Sequence, residues 1–106
     1  MNYFRFEVFS AQLCLKNQKN QQYNGPDFVS GVVVYCTNNT SYYDFNVAKN
    51  GCLNALKGNL NYLASLNPAP TYEMKHVKKL INSLTALHKS TVEIYCKRNN
   101  TSEMQI

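Results

Sequence analysis

Six carboxylates are spread through 106 residues: Glu7, Asp27, Asp44, Glu73, Glu93 and Glu103. No two lie close enough in sequence to form a local acid/base or metal-binding pair, and the histidines are His76 and His88 alone. Hydrolytic and group-transfer sites need paired carboxylates, or a nucleophile with an oriented base. Histidine is the usual proton carrier near neutral pH. The inventory therefore points away from an enzyme and towards a chain that works by binding, without a cofactor.

The four cysteines, Cys14, Cys36, Cys52 and Cys96, contain no Cys-x-x-Cys knuckle of the kind a zinc site shows. No secretory leader opens the chain, so reduced thiols in a cytosolic core are expected, with no metal. Cys96 precedes Lys97 and Arg98, whose charge would lower a thiol pKa. As a strand residue, however, it shares a face with Val92 and Ile94, which predicts burial. There is no phosphate-binding glycine loop and no dinucleotide fingerprint.

The net charge of +5 favours acidic partners: a phosphate backbone, an acidic protein face or an anionic membrane. Lys75, Lys78 and Lys79, beside His76, line one to two helical turns, and Lys97-Arg98 follow a later segment. These five cations are the candidate site for nucleic acid or for an acidic partner. A solvated helix face is the plainer account of such lysines. Arg5 and Arg98 are the only arginines, so bidentate forks for base edges are scarce. Eight tyrosines could stack unpaired bases or anchor a protein interface.

The elements that must position these groups follow from periodicity. Phe4, Phe6 and Val8 alternate with Arg5 and Glu7, so 3–15 reads as a strand, with a shift of face that predicts a bulge near Ser10-Ala11. Residues 16–27 are polar and end in Asn24-Gly25-Pro26-Asp27, which predicts a long hairpin loop whose Lys16, Lys19 and Tyr23 face a partner. Phe28–Thr37 is a central strand, apolar on both faces. Residues 41–47 alternate again and predict a third strand. Cys52, Leu53, Leu56, Leu60, Leu63 and Leu66 form a helical stripe over 48–66, weakened by Gly51 and Gly58 and stopped at Asn67-Pro68-Ala69-Pro70. A second helix spans 71–89, with Thr71 as N-cap and His88 continuing its apolar stripe. Residues 91–98 alternate and predict a final strand beside the first, and 99–106 a frayed tail.

The result is one α+β domain over 1–106, in the order β-β-β-α-α-β: an antiparallel meander with a fourth strand and two helices packed on the sheet. That order, with the stretch from Thr71-Tyr72-Glu73-Met74 to Val92-Glu93-Ile94-Tyr95-Cys96, is faintly similar to the first half of the ribonuclease-H-like family. The resemblance implies a mixed sheet whose fourth strand runs parallel to the first. The family's metal-binding carboxylates would fall near Ser10-Ala11 and Cys96-Lys97, where this chain has none. Only Glu73 matches the helix carboxylate, so the resemblance implies the fold without its catalysis.

The longest apolar run, Val32 to Cys36, is far below the ~20 residues of a membrane span. The functional expectation is a small cytoplasmic binding protein, an inhibitor or accessory factor of a cytosolic machine, nucleic-acid-processing machines included. Its partner would be a protein with an acidic or nucleic-acid-associated surface. The alternative is a nucleic-acid-binding module that uses the basic helix. A homodimer through an exposed strand edge is a further expectation.

Overall fold

The computed structural model describes residues 2–16, 22–38 and 43–106, and for residues 12–16 and 22–27 the backbone alone. The elements are β1 (Tyr3–Lys16), β2 (Gln22–Thr37), α1 (Phe45–Ser65), α2 (Thr71–Thr85), α3 (Lys89–Arg98) and β3 (Glu103–Gln105). The three strands form one antiparallel sheet in the order β1-β2-β3. The class is α+β, as the periodicity predicted, with a different distribution of strands and helices.

β1 and β2 form a long hairpin, paired from Tyr3↔Thr37 to Lys16↔Gln22. The register slips between Phe9 and Ser10, at the predicted bulge, leaving Ser30 without a counterpart. Ser30 Oγ donates to the Phe9 carbonyl instead, at 3.0 Å. A second slip, between Gln12 and Cys14, falls opposite Gly25-Pro26. Proline has no N–H for the ladder, so a bulge is where a strand can hold it. The predicted loop over 16–27 is thereby corrected: Gln22–Asp27 are strand, because ladder pairing outweighs local turn chemistry. Lys16 and Tyr23 stand on paired backbone, their side chains outside the described part, and Lys19 lies outside the described residues.

Of the predicted third strand over 41–47, residues 41–42 lie outside the described residues, and the rest keeps one bridge. Tyr43 exchanges backbone hydrogen bonds with Phe4, at 2.6 and 2.8 Å. Asp44 then caps α1, its Oδ1 accepting from the Asn46 N–H at 3.0 Å. A strong N-cap converts the following Phe45 and Val47 from strand alternation to the first turn of a helix. Phe45 turns inward, edge-on to Phe4 at 5.1 Å between ring centres. α1 buries Cys52, Leu53, Leu56 and Leu63 on the predicted stripe and ends before Pro68. Gly51 and Gly58 are tolerated because both lie on its exposed side.

α2 begins at Thr71, the first residue of the predicted span, but Pro70 rather than Thr71 holds the N-cap position, with no side-chain cap. It ends at Thr85, where Lys49 Nζ donates to the carbonyls of Thr85 and Leu87, at 3.0 and 2.9 Å. A cation at a helix C-terminus meets the negative end of the dipole. His88 is therefore not part of the α2 stripe. It is exposed, and its backbone starts α3.

Residues 89–98 are helix, not strand. Val92 and Cys96 are buried, four residues apart, while Ile94 is 52% exposed. A strand would bury all three on one face. Lys97 and Arg98 in the last turn complement the helix dipole and favour this outcome. The tail is ordered too. Asn100 takes a positive φ of 48° and turns the chain back. β3 then pairs with Val33, Val34 and Tyr35 of β2, and Met104 and Ile106 pack on the core. The last strand joins the second strand, not the first, and runs antiparallel, which removes the ribonuclease-H-like alternative.

The core lies between one face of the sheet and the helices: Phe4, Val32 and Val34 meet Leu56, Leu63, Val77, Leu84 and Val92. Each such side chain contributes about 1.5–3 kcal/mol by leaving water. Val33, on the opposite face of β2, is buried as well, matching the reading of a strand apolar on both faces. Among the described residues no helix is long and apolar enough to cross a membrane.

Candidate functional site

The basic residues of α2 stand where helical geometry puts them. Val77, Leu80 and Leu84 bury the inner face. At about 100° per residue, Lys75, Lys78 and Lys79 fall on the opposite side, and all three are exposed. Tyr72, 78% exposed, joins them. Tyr72, Lys75, His76 and Lys79 line one shallow hollow of about 170 Å³. Glu73, the only carboxylate of this helix, lies a further 100° round and is half-buried.

His76 anchors this face. Its Nε2 lies 2.6 Å from the Ser30 carbonyl, to which it donates, and its ring meets Phe28 edge-on at 6.3 Å. Asn59 Oδ1 accepts from the neighbouring Val29 N–H at 3.0 Å. Together the two side chains satisfy the outer edge of β2 just beyond the reach of β3, whose last bond runs from the Ile106 N–H to the Val32 carbonyl. His76 is half-buried, and its bond to Ser30, invisible in the sequence of α2, makes it a helix-to-sheet tie.

Lys97 and Arg98 are not brought to that face. The turn after α3 bonds to Cys36 through the Ser102 carbonyl. Cys36 is six residues along β2 from Ser30, about 20 Å at strand rise. Arg98 instead borders a separate hollow with Thr91, Ile94, Tyr95 and Asn99. The five predicted cations therefore form two groups rather than one patch.

Among the described residues the thiols of Cys36, Cys52 and Cys96 are held towards their protonated form. Burial pushes Cys52 up to about 11 and raises Cys96. Cys36 is raised by burial first and by the nearby Cys96 second. These shifts oppose thiolate chemistry. Among the described residues no three of His, Cys, Asp and Glu gather in a way that would hold a metal ion.

One feature escaped the sequence reading. Between β1 and α1 runs an apolar groove of about 420 Å³, lined by Phe6, Val8, Tyr43, Val47, Ala48 and Cys52, with Arg5 at its border. Tyr43 is 65% and Val47 61% exposed. The available signal was the small-residue flank of α1, Ala48, Gly51 and Ala55, beside its leucine stripe. Small side chains leave the depression that larger ones would fill. Comparison with protein-family models, with curated proteins and with solved structures finds no match for this chain.

Proposed function

We propose that this chain is a small non-enzymatic binding protein, an inhibitor or accessory factor, that docks on a protein partner through the groove between β1 and α1. The observation that carries this is the apolar groove itself, with Tyr43 and Val47 held open to solvent at its lip. Covering apolar surface yields roughly 25 cal/mol per Å², and aromatic anchors in hollows are where interface energy concentrates. The scattered carboxylates and protonated thiols support a role without chemistry. The test is affinity capture with the tagged chain after nuclease treatment and at about 0.5 M salt, where exposed charges are screened within a few ångströms. A discrete protein retained by the native chain and lost with Val47→Glu is expected. Equal capture by the variant, or no capture, would reject the groove.

A second reading, nucleic-acid binding, is favoured by a different observation: the lysine face of α2 with its exposed tyrosine.

A further inference from the structure

The cations of this chain divide by the work they do. Lys49 caps the end of α2. Lys89 lies 6.0 Å above the Phe4 ring. Arg5 is 3.5 Å from Glu7 and 4.9 Å from the Tyr35 ring. Lys75, Lys78 and Lys79 have no hydrogen bond or ion pair among the described residues. They are spaced i, i+3 and i+4 on one face, where like charges repel and weaken the helix. Nothing in the described fold offsets that cost, so an anion from outside is the natural complement.

The hollow also contains a ring. Tyr72 sits one turn before Lys75 and His76, and two turns before Lys79, so a planar group on Tyr72 would have ammonium groups beside it. A nucleotide has both parts, a base to stack and a phosphate to neutralise. Lysine is a point charge rather than a fork, which suits phosphates and reads no base edge. In a duplex the bases are already stacked, leaving none for Tyr72. The first turn of α2 has no side-chain cap, so its positive end adds to the field on the same side. His76 holds the helix to the sheet, so the backbone that carries the ring and the lysines is fixed before any ligand arrives.

We infer that the outer face of α2 is a sequence-tolerant site for single-stranded nucleic acid, with Tyr72 stacking a base and Lys75 and Lys79 taking flanking phosphates. This rests on the second reading above and is independent of the groove.

The test is fluorescence anisotropy with a labelled single-stranded oligonucleotide of about 16 nucleotides, the upper end of single-module sites, and with its duplex. Two neutralised phosphates predict a slope of log affinity against log salt of about −1.4. The Lys75→Glu/Lys79→Glu chain should lose at least about tenfold in affinity, and Lys75→Arg/Lys79→Arg should retain it. Tyr72→Ala should lose about tenfold on the single strand and little on the duplex. Val47→Glu should bind as the native chain does, which separates this site from the groove. If circular dichroism shows the double Glu variant unfolded, Lys75→Gln/Lys79→Gln gives the same readout. Absent binding, binding indifferent to both double variants, or binding only to phosphatidylserine vesicles would overturn the inference.

Discussion

Lys49 and Lys75 are the same residue on neighbouring helices, yet one completes a helix end and the other meets only solvent among the described residues. The contrast between cysteines is sharper. Cys52 is buried among leucines of α1 and its thiol is pushed up from 9.0 to about 11 by burial. The folded chain therefore holds the proton more tightly than the unfolded chain does. The stabilisation from a neutral Cys52 is fully present below pH 9 and is lost as pH rises towards about 11. Urea denaturation across that range is expected to show declining stability, with a shallower decline in Cys52→Ala. Identical slopes would mean that Cys52 does not carry the effect.

At the scale of the element, α3 is the segment where local pattern and packing disagree. Thr91, Val92, Ile94 and Tyr95 are β-branched or aromatic, which favours strands, and a short apolar run does not separate the two states. The helix separates Val92, fully buried, from Ile94, half-exposed. Ile94→Lys is accordingly expected to change stability by no more than about 0.5 kcal/mol. Val92→Asp should cost at least about 3 kcal/mol by burying an unpaired charge. Equal, large losses at both positions in thermal melts would restore the strand. The same reasoning explains the N-terminal hairpin, where Gly25-Pro26 marks a bulge inside a strand instead of its end.

The whole molecule is elongated, 55 Å long and 22 Å across in both other directions. Its radius of gyration is 16.0 Å, against about 13 Å for a compact chain of this length. Fourteen strand residues at about 3.3 Å each span roughly 46 Å, so the β1–β2 hairpin accounts for most of the long axis. α2, which carries the lysine face outward, is tied to this hairpin at Ser30 by His76, and the apolar groove lies on its β1 side. The two candidate surfaces are thus carried by different elements. Small-angle scattering is expected to return a radius near 16 Å. A value near 13 Å would mean that the hairpin folds back on the body, and a value rising with concentration would mean that chains associate.

Much of this was legible from residue order. The apolar β2, the leucine stripe of α1, the stop at Asn67-Pro68-Ala69-Pro70 and the outward lysines of α2 are all consequences of period and backbone chemistry within one segment. The shortage of paired carboxylates is likewise a property of composition. Tertiary structure alone decided four things: that Gln22–Asp27 pair, that 89–98 coil, that the tail closes the sheet on β2, and that Lys97 and Arg98 stand apart from Lys75. Each depends on a partner distant in sequence. Backbone pairing leaves little side-chain signature, a ten-residue apolar segment suits either geometry, and the convergence of charges is set by how elements dock. His76 shows the limit most plainly, since its role depends on a carbonyl 46 residues away, beside a bulge of β2.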